Sequence, residues 1–251
     1  VLGIDYYDDS VEGVSVFFGT TAFEYERETM AAFASTSIAL NESWQLNASA
    51  RLEEASTDGV YGGVGLDEKV EEEYAWSIGL VRFVGDSARV YGSVRRFYRY
   101  PATDEIMLFF PAIAFNPAID PENGHEAEVG LDWIIGQFDL SARVYYQDMN
   151  DEIIYDPTIG LFGANTNLDA TERLGVDLGL GYSLTEAIDL SMDYTWVQAE
   201  IASGAFDGSE VPLNPEHKVR MALSYRPEGP FSCSVSASYT DSVYIGGDFF
   251  N

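Results

Sequence analysis

The ten residues Phe138-Asp-Leu-Ser-Ala-Arg-Val-Tyr-Tyr-Gln147 alternate without a break. Phe138, Leu140, Ala142, Val144 and Tyr146 fall on one side of an extended chain, and Asp139, Ser141, Arg143, Tyr145 and Gln147 on the other. A helix would need its apolar residues three and four apart. A period of two instead makes a strand with one apolar and one polar face. A soluble sandwich buries such an apolar face, and a membrane barrel turns it to lipid. Ten residues is about what a tilted strand needs to cross the hydrocarbon.

The same alternation recurs along the chain. Ile188, Leu190, Met192, Tyr194 and Trp196 are interleaved with Asp189, Ser191, Asp193 and Thr195. Val176, Leu178, Leu180 and Tyr182 form another set, as do Val219, Met221, Leu223 and Tyr225, and Phe231, Cys233, Val235, Ala237 and Tyr239. Thr29 to Leu40 is also read as strand, although Ala31, Ala32 and Ala34 would tolerate a helix. Short turns are expected at 41–43, 85–87, 136–137, 185–187 and 228–229. Long connections are expected at 8–24, 54–70, 100–123, 150–169 and 200–215. Soluble sandwiches show turn signals every 8 to 12 residues and no such asymmetry between their ends. Outer-membrane barrels have short turns at one end and long loops at the other. The expectation is an all-β, antiparallel up-and-down meander of about 11 strands, forming part of a transmembrane β-barrel, with residues 1–251 as one partial barrel domain.

Composition narrows the function. The chain has 42 acidic and 13 basic residues, a net charge of −29. That argues against a nucleic-acid partner, whose phosphate backbone needs a basic surface. The single cysteine, Cys233, forms no intrachain disulfide and no cysteine-based zinc site. It reads as a small apolar residue of its strand. No apolar run reaches 18 residues, so no transmembrane helix is expected. Aromatic residues gather near strand ends, with Trp44, Trp133, Tyr182 and Tyr225 near short turns and Tyr146, Trp196 and Tyr239 toward long ones. Such a distribution suits interfacial girdles.

Five stretches carry a family resemblance: RETMAAFASTSIALNESWQLNASARLEE (27–54), VYGSVRRFYRYPATDEI (90–106), NPAIDPENGHEAEVGLDW (116–133), NTNLDATERLGVDLGLGYSLTEAIDLSMDYTWVQAEI (165–201) and VPLNPEHKVRMALSY (211–225). The second resembles an aromatic-Arg-x-Pro-x-x-x-Glu strand end, the third a Pro-Glu loop leading into a Glu-x-Gly strand, and the last a Pro-x-x-Pro-x-His strand entry. In this order they resemble the C-terminal half of the barrel of a TonB-dependent outer-membrane receptor. The resemblance implies a bacterial outer-membrane location, contact with lipid, and a small-molecule ligand such as a ferric siderophore or other metal chelate, cobalamin or an oligosaccharide. It also implies coupling to the TonB complex through a plug domain. Neither the plug nor its coupling box is recognisable in these residues, and about eleven strands are half of such a barrel. An internal piece of a longer receptor is therefore expected.

Candidate binding residues follow from the faces. Arg89, Arg95 and Arg143 fall on the lumen side with Tyr91, Tyr145 and Gln147, where they could meet an anionic chelate or a plug. Salt bridges to lumen acids such as Asp177, Asp189 and Asp193 are the competing reading. The loop IMLFFPAIAFNPAI offers Phe109, Phe110 and Phe115 to a ligand or to neighbouring loops. No catalytic residue and no cofactor is expected. His125-Glu126-Ala-Glu128 lacks the second histidine of a zinc-protease helix. Asp148-Met-Asn-Asp-Glu152 has Ile153 where a calcium loop needs glycine, and no metal site is assigned. Three functions remain: a ligand-uptake receptor, a passive porin or adhesin barrel, and a soluble carbohydrate-binding sandwich.

Overall fold

The computed structural model describes residues 1–16, 20–108, 114–116, 118–249 and 251. Eleven strands form one antiparallel sheet in sequence order: β1 (Leu2–Ser15), β2 (Thr21–Asn41), β3 (Trp44–Tyr61), β4 (Val64–Val84), β5 (Ala88–Arg99), β8 (Glu122–Ile135), β9 (Phe138–Asp156), β10 (Ala164–Thr185), β11 (Ile188–Ile201), β12 (His217–Tyr225) and β13 (Cys233–Thr240). A small ladder of β6 (Met107–Leu108) and β7 (Ala114–Phe115) lies between β5 and β8. Thr29–Leu40 is strand throughout. The expected meander and its count are therefore observed.

Register carries the alternation around the whole sheet. On one face Val90, Leu131, Ala142, Leu178, Tyr194 and Val219 succeed one another strand by strand. The opposite face carries Arg89, Asp132, Ser141, Gly179, Asp193 and Arg220 in the same way. A slip of one residue in any pair would put charge among the apolar side chains, so each register is strongly specified. Ring stacking reinforces it at the short-turn end, where Phe138 and Tyr182 lie 4.4 Å apart, centroid to centroid.

The apolar face has an abrupt upper limit. Going toward the long connections, Tyr6 is followed on the same face by Asp8, Leu52 by Glu54 and Tyr146 by Asp148. On the strands that run the other way, Glu28 precedes Met30, Glu72 precedes Tyr74 and Glu172 precedes Leu174. Below that line the apolar band is about nine to eleven residues tall, as in Phe138–Tyr146 and Met30–Leu40, which matches the hydrocarbon of a membrane crossed by tilted strands. Above it the polarity inverts. The outer face is acidic, while the inner face holds two apolar clusters. One contains Tyr25, Tyr61, Ile106 and Ile119, and the other Leu168, Val197, Ala199, Ile201, Val211 and Phe249. Water outside and packed loops inside reverse the preference that lipid imposes below.

The long connections differ from expectation. Much of 8–24, 54–70 and 150–169 is ladder, because β2 has 21 residues, β4 has 21 and β10 has 22. These strands stand well above the lipid line. The β3–β4 hairpin closes on Gly62 and Gly63, both at positive φ, as a two-residue turn between right-twisted strands requires. Outside the membrane such a ladder needs its backbone hydrogen bonds but no continuous apolar face, so charged runs such as Glu71-Glu72-Glu73 interrupt the alternation and the stretch reads as loop.

Candidate functional site

The polar face of the sheet lines the lumen side of the wall. Its centre is a hydrogen-bonded row across five strands. Ser93 on β5 donates to Glu128 on β8 (2.8 Å), Arg143 on β9 donates to both Glu128 (3.1 Å) and Asp177 on β10 (3.0 Å), and Thr195 on β11 donates to Asp177 (2.8 Å). Flanking this row, Arg89 pairs with Asp132 at 2.5 Å and Arg95 with Glu126 at 2.9 Å. All three candidate arginines are thus held by carboxylates of neighbouring strands. Of the expected partners only Asp177 is used in this row, and Asp189 binds Arg226 and Ser183 instead.

The candidate tyrosines panel the wall. Tyr91 lies across Gly130 of β8, and Tyr145 across Gly175 of β10, so closely that a Cβ at either glycine would collide with the ring. Arg89 sits over Tyr91 at 5.9 Å and Arg143 over Tyr145 at 4.5 Å, a contact that favours the guanidinium in place. Gln147 is half-buried on the same face, between Glu126 and Arg173 in register. Sequence position alone shows which residues share this face. Their pairing requires the register.

Above the lumen the connection between β5 and β8 folds inward as a strap. Arg99 makes a bidentate contact with Glu105 (2.6 and 3.0 Å) and donates to Glu122 (2.7 Å), and the Ala102 N–H donates to Glu105 (2.7 Å). The Arg-x-Pro-x-x-x-Glu stretch is therefore a folding device that turns the chain off the sheet. Burial raises the Glu105 carboxyl, but the Arg99 hydrogen bonds and the Ala102 N–H outweigh it and hold the group below the usual carboxylate range.

Both sides of the wall grip the strap. Arg27 on β2 donates to the Pro101 carbonyl (2.8 Å) and Lys69 on β4 to that of Ile119 (2.8 Å). From the other side Asn165 donates to Glu105 O (3.0 Å), and Asn167 bonds Asp120 through both its oxygen and its nitrogen (2.9 Å each). Asn167 also donates to the carbonyl of Asp151 (2.6 Å), a non-glycine residue at φ +58 that the β9–β10 ladder passes over without a change of register. Burial, then Asp120, Asp169 and Glu73, push the Asp151 carboxyl up. The 148–152 stretch is thus ladder, part of the continuous strand β9. Among the described residues no group of three or more His, Cys, Asp or Glu side chains is placed to hold a metal ion.

Phe109 and Phe110 lie outside the described residues. Phe115 pairs through its backbone with Met107. Ile106 and Ile119, on either side of them, pack on Tyr25 and Tyr61. Asn165, Asn167 and Lys69 were not singled out by sequence reasoning. The asparagines' place in a family-like stretch was the available signal.

An antiparallel wall that is apolar outside and charged inside across one membrane-thick band, with short turns below and tall hairpins above, is an outer-membrane β-barrel wall. The chain belongs to the family described as TonB dependent receptor-like, beta-barrel, which it matches over residues 1–251. It is 24% identical over 154 residues to the probable TonB-dependent siderophore receptor PiuA of Acinetobacter baumannii, a match covering 55% of this chain and 20% of that protein. It is 27% identical over 124 residues to an iron-regulated outer membrane virulence protein of Vibrio cholerae, covering 44% of this chain and 19% of that one. Its fold is similar to that of the ferric yersiniabactin uptake receptor FyuA from Yersinia pestis, with a TM-score of 0.76 at 14% identity over 98% of this chain and 40% of that one. The chain thus spans well under half the length of these proteins.

Proposed function

We propose that this chain is part of the wall of a receptor that takes up a scarce ligand, a ferric siderophore, across the outer membrane with energy from the TonB complex. The observation that carries the reading is the family match along the whole chain, on a sheet whose lumen face is charged and roofed by an inward strap. Relatives named for siderophore and iron uptake support the ligand class. In this reading Tyr91, Tyr145 and Gln147 of the wall, with Phe109, Phe110 and Phe115 of the strap, contact the solute. Arg89, Arg95 and Arg143 would have to exchange carboxylate partners to bind an anion, so their first role is to hold the wall's shape.

The test is deletion of the parent gene, followed by growth on limiting ferric chelates, cobalamin and oligosaccharides. Complementation uses the full gene with and without its coupling box. Restored growth on ferric chelates only, lost with the coupling box, is the expected result. Undiminished rescue without the box would make a passive pore the better reading.

A further inference from the structure

We propose that Lys218 and Arg220 form an anion-binding step on the lumen wall, engaged by a carboxylate or phosphate group of whatever occupies the lumen beside β12. In a chain of net charge −29 the 13 basic residues should all be neutralised with ease. Eleven are engaged. Ten of these form ion pairs or hydrogen bonds, and Arg82 stacks on Trp44 at 5.4 Å. Lys218 and Arg220 are the two that have no such partner among the described residues, and they are neighbours on one face of one strand.

Three of their four cross-strand neighbours carry no charge. Across on β13, Lys218 faces Thr240 and Arg220 faces Ser238, with Ser236 opposite Ala222 below. Toward β11 they face Thr195, whose hydroxyl is committed to Asp177, and Asp193, which forms no ion pair with Arg220 although it stands directly opposite. Both cations are exposed. They lie just under the lipid line, beside His217, whose ring bonds the hydroxyl of Tyr194 on the lipid face at 2.9 Å.

Two residues apart on a strand, the ammonium and guanidinium are spaced by about 7 Å along the wall. Lysine offers a compact charge with three donors, and arginine a planar fork that takes a carboxylate or phosphate two oxygens at a time. Together they can grip one anionic group, or two borne on one molecule. The group could belong to a polypeptide segment lying in the lumen or to a solute passing along it. The inference rests on this face being the lumen side of a barrel, and not on the transported ligand or on TonB coupling.

The test uses the full-length receptor in outer-membrane vesicles, with folding checked by heat-modifiable mobility in gels. A zero-length carbodiimide joins a lysine amine to a carboxylate that it touches, and peptide mapping then identifies that carboxylate. Amide formation between Lys218 and a carboxylate outside residues 1–251 is the result expected for a polypeptide source. For a solute source that product is absent, and millimolar inorganic phosphate or citrate slows acetylation of Lys218 several-fold against matched chloride. That protection is lost in Arg220→Gln. Coupling of Lys218 to Asp177 or Asp193 would overturn the proposal. So would the absence of both coupling and protection. Loss of uptake with the Lys218 chemistry intact would refute the transport reading and leave this inference standing.

Discussion

Arginine placed on successive residues of β11 should report depth and face together. Met192 is at mid-height of the apolar band Ile188–Trp196, between Leu180 of β10 and Met221 of β12. Leu190 is two residues lower, opposite Tyr182, and Ile188 is at the short-turn boundary. With a rise of about 3.4 Å per residue and a tilt near 40°, each two-residue step moves a side chain about 5 Å along the membrane normal. Met192→Arg should then cost about 2–4 kcal/mol, Leu190→Arg about 1–3, and Ile188→Arg about 0–1. Ser191→Arg, between the first two but facing the lumen, should cost under about 1 kcal/mol. The assay is reversible denaturant unfolding of the full receptor in lipid vesicles, where each 1.4 kcal/mol is about tenfold in the folding equilibrium. Equal costs for Ser191→Arg and Met192→Arg, or a gradient that rises toward Ile188, would refute the assignment of faces and depth.

Gly175→Ala should displace Tyr145 from the wall and destabilise the receptor by about 1–3 kcal/mol, whereas Gly136→Ala, with nothing near its Cβ, should cost less and only through its φ of +61; melting temperatures of the two variants compare them. Asn167→Ala removes hydrogen bonds to both Asp120 and Asp151, so the strap should exchange amide hydrogens faster, by a local free energy of about 1–3 kcal/mol, while the β9–β10 ladder below stays protected. The Glu105 carboxyl is held low in the folded protein, so its contribution is fully present above the ordinary carboxylate value near 4.3 and disappears as pH falls through its folded value. Strap protection should therefore be constant from pH 7 to about 5 and fall below that, and Glu105→Gln should flatten the profile.

The membrane band was legible because lipid and lumen force opposite chemistry onto alternate residues, so Phe138–Gln147 or Ile188–Trp196 declares both strand and face without any partner. The ladder above the lipid line was not. Glu53 and Glu54, or Glu71 and Glu72, carry charge on both faces, and no period distinguishes them from a loop. The site was legible only by face. Arg89, Arg95 and Arg143 share the polar face that the alternation gives them, but register decides that Asp132, Glu126, Glu128 and Asp177 neutralise them. The same register leaves Lys218 and Arg220 beside serine, threonine and an unengaged aspartate. The strap's anchors come from strands far apart in sequence, such as Arg27 and Asn165, and local pattern holds no trace of such a meeting.

The most direct test of the account is a spin-label scan along β10 in the full receptor reconstituted in a bilayer, measuring collision with oxygen and with a water-soluble nickel chelate. Labels at Leu174, Val176, Leu178, Leu180 and Tyr182 should favour oxygen, with the intervening residues from Gly175 to Gly181 low, and labels at Glu172 and above should favour the chelate. A scan in the opposite phase, or one with no change of preference between Glu172 and Leu174, would contradict the assignment of this chain to an outer-membrane barrel wall.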